Sequence, residues 1–280
     1  MRIALVNCDP LTEPDIDEAP LLGALREAGH DARTPAWNDP EADPGAFDVA
    51  VLRATWDYHD QPDAFVAWCE RAAGVTRLLN APDVVRWNIH KGYLLELGRA
   101  GVPIVPTELV ERGDARTLGD VLARCGWDDA VIKPAVGAGS AGAMRVHAGD
   151  PAAGEAHWRT WLAGRDMLVQ PFLKRVEHGG ERALVWIDGE LTHAIEKAPR
   201  FHDGEESVKA RDAISSEERT LAAMSLGAAP KGLLYARVDV MELDDGSLAL
   251  SELELIEPSL FFPYSGEAVR RMVAAIGRVV

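Results

Sequence analysis

Cysteine is scarce: Cys8, Cys69 and Cys125 are the only three in 280 residues, and their spacing pairs none of them. That excludes a disulfide framework and the ligand spacing of a zinc site, and it fits a reducing compartment. No apolar run approaches the ~18 residues of a membrane helix. The opening MRIALVNCDPLTEPD turns acidic at once, without the layout of a signal peptide. A soluble cytoplasmic enzyme or binding protein is therefore expected. Basic residues are few beside acidic ones, 29 Lys plus Arg against 45 Asp plus Glu, a formal charge of −16. Such a chain is not built to grip nucleic acid or an anionic membrane, although a local basic pocket for phosphates stays open. Repeats and low-complexity tracts are absent. His59, His90, His147, His193 and His202 are scattered and read as structural or surface groups. What is present is ordinary for a globular protein: 47% hydrophobic and 26% charged residues, with eight Trp that read mainly as core.

The first half alternates strand and helix, which predicts a parallel sheet. Arg2–Cys8 and Asp48–Arg53 read as strands, and Glu18–Ala28 and Gln61–Ala73 as helices. Pro82–Gly101 reads as one helical stretch closed by Gly101 and Pro103, followed by strands at Ile104–Glu108 and Ala130–Pro134. After His147 a Gly/Ala/Pro-rich connection leads to a helix at His157–Ala163. Strands are expected at Met167–Phe172, Arg182–Asp188 and Glu190–Glu196, the last two joined at Asp188–Gly189. A polar loop, Arg200–Ser207, precedes a helix at Ser216–Ala228, strands at Leu233–Leu243 and Leu248–Ile256, and a final helix at Ser265–Val279.

Three segments carry chemistry. In AVIKPAVGAGSAGAMRV, Gly137, Gly139 and Gly142 match G-x-G-x-x-G. A dinucleotide turn would need a helix next, but Met144-Arg145-Val146 reads as a strand. A Walker loop would need a Lys after the last Gly. A hairpin flap whose N–H groups cover phosphates, with Lys133 on the entering strand, competes with an ordinary Gly-rich hairpin. In LVQPFL, an apolar strand ends at Pro171 like a hinge offering backbone groups to an adenine edge, and Glu177 or Glu181 could accept from ribose. In YARVDVM and LSELELIEP, Arg237 and Asp239 share one strand face, as do Glu252 and Glu254. Adjacent antiparallel strands would gather Asp239, Glu252 and Glu254, and such a cluster suits Mg²⁺ with phosphate oxygens. An exposed acidic strand face is the competing reading.

The segments LRATWDYH, RWNIHKGYLLEL, VIKPAVGAGSAG, VQPF, GERALVWIDGELTHAIEK, ARVDVM and SELELIEPSLFF occur in register. Together they resemble the ATP-grasp superfamily of carboxylate–amine ligases over nearly the whole chain. The similarity is to its small ligases of the D-cycloserine-closing, glutathione-synthetase and ribosomal-protein-modifying types. The resemblance implies an α/β ATP-grasp fold in three units: a Rossmann-like pre-ATP-grasp domain at 1–84, a central subdomain with the Gly-rich flap at 85–169, and a C-terminal subdomain with the Mg²⁺ site at 170–280.

Carried over residue by residue, the resemblance makes Lys91 and Lys133 the nucleotide lysines. Gly137, Gly139, Ser140 and Gly142 form the phosphate loop, and Gln170, Pro171, Phe172 and Leu173 the adenine hinge. Glu177 or Glu181 takes the ribose. Lys197 and Arg237 take phosphate or acyl-phosphate oxygens, and Asp239, Glu252 and Glu254 hold Mg²⁺. Two departures stand out: the commonest pattern has Asn at the Glu254 position, and Phe201–Asp212 lacks the usual Arg-Gly-Gly, leaving Arg200, Lys209 or Arg211 to replace the Arg.

The implied reaction attacks ATP with a carboxylate, giving an acyl phosphate and ADP, and then displaces phosphate with an amine, of a second molecule or of the same one. Modification of a peptide or protein terminus, and nucleotide binding without ligation, are the alternatives. Family analogy leaves monomer and homodimer open, with the dimer preferred. The loop Arg53–His59 follows an apolar strand and so sits where open α/β sheets bind ligands. Arg53 could hold a substrate carboxylate and Asp57 an ammonium, with Trp56 and Tyr58 as aromatic faces. A mutual Arg53–Asp57 pair, or a packing cluster of Trp56 and Tyr58, would be the structural reading.

Overall fold

The computed structural model describes residues 1–139, 141–147, 149, 151–198 and 207–279, apart from the side chains at 151, 153 and 178. The chain runs β1 (Arg2–Val6), α1 (Glu18–Glu27), β2 (Asp31–Arg33), β3 (Val49–Leu52), α2 (Pro62–Ala73) and β4 (Arg77–Leu79). These strands form a parallel sheet in the order β2-β1-β3-β4. Every residue of β3 is buried, as a central strand covered on both faces requires. Next come α3 (Pro82–Asn88), α4 (Tyr93–Arg99), β5 (Glu108–Val110), α5 (Leu118–Cys125), β6 (Asp129–Pro134), β7 (Met144–His147), α6 (Pro151–Leu162) and β8 (Met167–Pro171). Their strands make an antiparallel sheet, β5-β8-β6-β7. The chain closes with α7 (Val176–Gly179), β9 (Glu181–Ile187), β10 (Glu190–Lys197), β11 (Val208–Ala210), α8 (Ser216–Ala228), β12 (Tyr235–Glu242), β13 (Leu248–Glu254) and α9 (Gly266–Gly277). That third sheet, β11-β10-β9-β12-β13, is antiparallel. This is an α/β protein, as expected.

Asp188 and Gly189 both have positive φ, 48° and 92°, the requirement of the tight hairpin turn anticipated between β9 and β10. Three expectations are corrected. The stretch Pro82–Gly101 is not one helix. It breaks at Ile89–Gly92 because the Lys91 N–H leaves the helical ladder and donates to the Ala135 carbonyl (2.7 Å). The strand expected at Ile104–Glu108 is displaced to β5. Pro103 and Pro106 supply no N–H, and Val105 and Pro103 instead exchange backbone bonds with Leu250 at the edge of β13. From Pro151 on, the Gly/Ala/Pro-rich connection belongs to α6, which starts there instead of at His157. β2, β4, α5, α7 and β11 carried no sequence expectation. The loop expected at Arg200–Ser207 falls, up to residue 206, outside the described residues.

Buried polar side chains join the sheets. Asn80 donates to Tyr235 and Leu255 carbonyls and accepts from the Leu234 N–H. Asn88 bonds both Leu253 and Leu255. Asp17, fully buried, accepts from the N–H groups of Leu260, Phe261 and Phe262 and so shapes the chain leaving β13. Around these ties, Ile3, Leu5, Val49 and Val51 of the first sheet share a core with Val185, Tyr235, Phe261 and Met272.

Candidate active site

Period-2 alternation puts Lys133 on the face of β6 opposite buried Ile132. On the third sheet, register does the gathering: Asp239 lies opposite Glu252, Arg237 opposite Glu254, and Lys197 opposite Glu181. Lys91, from the break between α3 and α4, reaches Glu252 Oε1 (2.6 Å) and the Gly137 carbonyl (2.7 Å). Lys133 Nζ is 3.7 Å from Glu252 Oε2. Lys197 Nζ lies 2.7 Å from Glu181 Oε2 and 2.8 Å from Asp239 Oδ2. Arg237 holds Asp239 by two bonds of 2.8 Å, also bonds Glu254, and sits 5.8 Å from the centre of the Phe261 ring. Four cations from four elements thus meet a row of carboxylates on adjacent strands.

Burial opposes every charge here, and pairing decides which survive. Burial would raise Asp239, but Arg237 and Lys197 pull it down to about 2. Burial of Glu252 is likewise outweighed, by Lys91 and Lys133, and its carboxyl is lowered. Glu254 goes the other way, to about 8: burial dominates, and the pull of an Arg237 shared with Asp239 does not offset it. Burial alone would lower Lys91 and Lys197, yet facing carboxylates raise both.

The Gly-rich segment is a hairpin between β6 and β7, paired Ile132 to Met144, so a strand and not the helix of a dinucleotide turn follows the glycines. Gly142 has φ 72°, and a Cβ there would stand 2.8 Å from Trp161 and 2.9 Å from Pro134. Only glycine fits that corner. Ser140 lies outside the described residues.

Residues 3–80 match the N-terminal domain of D-cycloserine synthetase, and residues 103–259 match the ATP-grasp domain of prokaryotic glutathione synthetase. The chain belongs to the ATP-grasp ligases. It is an ATP-dependent, ADP-forming carboxylate–amine ligase. The cycloserine biosynthesis protein DcsG of Streptomyces lavendulae is 34% identical over 99% of this chain and 98% of its own length. The crystal structure of D-cycloserine synthetase DcsG superposes with a TM-score of 0.89 at 33% identity, covering 99% and 98% of the two chains. The glutathione synthetase of Rhodopseudomonas palustris is 27% identical over 76% of this chain and 66% of its own. D-alanine–D-alanine ligase from Bacillus anthracis shares the fold, with a TM-score of 0.71 at 16% identity over 99% and 96% of the two chains.

In this ATP-grasp ligase the other expected site residues are placed as follows. Gln170 is buried and donates to Thr107 Oγ1 (2.9 Å), and β8 ends at Pro171, with the Phe172 N–H still bonded to the Asp129 carbonyl of β6 (2.9 Å). Phe172 and Leu173 are buried, with the Arg145 guanidinium 3.4 Å from the Phe172 ring centre. Glu177 and Glu181 part company: Glu177 pairs with Arg145 near the surface (3.0 Å), whereas Glu181 faces Lys197 and also bonds Ser251. The three acidic residues expected at Mg²⁺ share one patch but do not converge. Among the described residues no three Asp, Glu, His or Cys side chains form a ready metal group, because each carboxylate is turned to a cation. Arg211 is engaged by Glu218, and Lys209 is exposed. Arg200 lies outside the described residues.

Arg53 and Asp57 do not pair with each other. Arg53 is 4% exposed and donates to the Pro258 carbonyl (2.8 Å) and Asp17 (3.3 Å) between the Tyr235 and Phe262 rings, and Nε and Nη1 have no hydrogen-bond partner among the described residues. Asp57 accepts from Trp37 Nε1 (2.6 Å) and Asn38 Nδ2 (2.9 Å), so both oxygens of the expected ammonium acceptor already carry protein donors. Trp56 donates to the Glu257 carbonyl, and Tyr58 stacks on Phe65. Glu257 itself escaped the sequence reading. It stands three residues beyond Glu254, where the strand has ended and alternation no longer selects it. The one signal was an acid directly before Pro258.

Proposed function

We propose that this ligase activates the carboxylate of a small amino-acid-like molecule as an acyl phosphate and closes it on a nitrogen of the same molecule. The observation that carries the reading is the end-to-end similarity to the cycloserine biosynthesis protein, N-terminal domain included. In this reading Lys91, Lys133 and the Gly137–Gly142 flap take the ATP phosphates, and Gln170–Leu173 takes the adenine. Glu181 or Glu177 takes the ribose. Lys197 and Arg237 face the γ-phosphoryl group, then the acyl phosphate. A phosphoryl group in flight needs positioning and charge neutralisation more than a protein nucleophile. Asp239, Glu252 and Glu254 are an all-oxygen donor set on one patch, which fits Mg²⁺ once phosphates draw Lys91, Lys133 and Arg237 away from them. Bound there, Mg²⁺ would neutralise phosphate oxygens.

Opening the ring amide of D-cycloserine by water gives O-amino-D-serine, a molecule with both reacting groups. Incubated with ATP and Mg²⁺, the enzyme is expected to release ADP and phosphate and to yield a product lighter by one water. ADP release only when a second amine is added would overturn ring closure, and stoichiometric AMP would overturn the acyl-phosphate route.

A further inference from the structure

The site holds one carboxylate that, among the described residues, no cation approaches to ion-pair distance. Glu181, Asp239, Glu252 and Glu254 each lie within ion-pair distance of Lys91, Lys133, Lys197 or Arg237. Glu257, 8% exposed, has no such partner among the described residues, and its side chain lies beside the Tyr58 hydroxyl. Its backbone is pinned on both sides. Trp56 donates to the Glu257 carbonyl (3.1 Å), Arg53 to that of Pro258 (2.8 Å), and Arg237 to that of Ser259 (3.3 Å). The segment 257–259 thus bridges the Arg53–Tyr58 loop to the residue facing the transferred phosphoryl group. A buried carboxylate without a cation at ion-pair distance is costly to keep ionised, and a ligand's N–H or ammonium would offset that cost.

Building on the function proposed above, we propose that Glu257 is the acceptor for the substrate's nucleophilic nitrogen. Its carboxylate takes a hydrogen bond from that nitrogen. As nitrogen attacks the acyl carbon, the C–N bond forms, the C–O bond to phosphate breaks, phosphate leaves with the electron pair, and the nitrogen's proton passes to Glu257. The alternative role, an anchor for Tyr58 alone, makes a different prediction. Burial, tempered by Lys91 and by the Tyr58 hydrogen bond, raises the Glu257 carboxyl to about 7, within the range of a group that takes and returns a proton near neutrality.

The test separates the two chemical steps in a single turnover with ATP, Mg²⁺ and O-amino-D-serine, for the parent, Glu257→Gln and Glu257→Asp. In Glu257→Gln, ADP formation should stay within a few-fold of the parent while ring closure slows on the order of 100-fold, the usual scale for losing a general base. Glu257→Asp keeps the charge and should recover part of the second step. ADP formation and ring closure falling together, with a lower melting temperature, would assign Glu257 to holding Tyr58 and overturn the proposal, as would ring closure at the parental rate. If the parent makes no ring but couples a carboxylate to added methylamine, cyclisation falls and the same comparison with methylamine judges Glu257. If the parent turns over neither, calorimetry with ADP and D-cycloserine decides. Binding at least tenfold weaker in Glu257→Gln supports the proposal, and equal affinity, or none in the parent, overturns it.

Discussion

Replacing Arg53 with Ala should unfold this protein more easily before it changes any kinetic constant. The guanidinium is buried beside a fully buried Asp17 and bonded to the Pro258 carbonyl, between two aromatic rings. Truncation strands Asp17, whose carboxyl burial already raises and which Arg53 helps to keep ionised. Removing one partner of a buried pair typically costs about 3–5 kcal/mol. In a chain of this size that corresponds to roughly 6–20 °C of melting temperature. Asp17 also holds the Leu260, Phe261 and Phe262 N–H groups, so the loop beyond β13 should loosen with it. Urea unfolding of Arg53→Ala, Asp17→Ala and the double variant gives the coupling directly. The double variant should be less destabilised than the sum of the singles, by about 1–3 kcal/mol. Arg53→Ala unfolding within about 0.5 kcal/mol of the parent, with KM for the carboxylate substrate raised, would refute this reasoning. It would place Arg53 with the substrate through Nε and Nη1, the atoms without a partner among the described residues.

Lys133→Ala should weaken ATP–Mg²⁺ binding by about 1.5–3 kcal/mol, roughly 10- to 150-fold, by losing one charge-assisted bond to phosphate. Unchanged affinity by calorimetry would remove Lys133 from the nucleotide site. Asp239→Asn should abolish turnover and change the acid stability profile. The folded carboxyl titrates at about 2, below its unfolded value, because Arg237 and Lys197 outweigh burial. Its contribution is therefore complete above pH ~4 and is lost as pH falls from ~4 toward 2, about 2 kcal/mol in all. The stability gap between parent and variant should narrow between pH 5.5 and pH 3, and a constant gap would contradict the pairing.

Much of the site could be read from local pattern, because its residues sit on strands. Alternation alone puts Arg237 with Asp239 and Glu252 with Glu254, and adjacent antiparallel strands must then bring the two pairs together. A glycine run followed by a β-strand rather than a helix singled out a hairpin for the same local reason. The capping box Thr117–Asp120 was equally local, and α5 could have been predicted from it. Other features depended on contacts between distant residues. Lys91 breaks its helix because a carbonyl 44 positions away takes its N–H. Residues 103–105 bond to β13 instead of forming the expected strand. Arg53 is paired with Asp17, 36 residues earlier, and not with Asp57 four residues on. Glu257 joins the site because three distant side chains pin the chain after its strand has ended. Residue type and period decided which groups could do chemistry. Which charge meets which was settled only in the folded chain, since burial makes each ion seek the partner that packing brings within about 3 Å, whatever its distance in sequence.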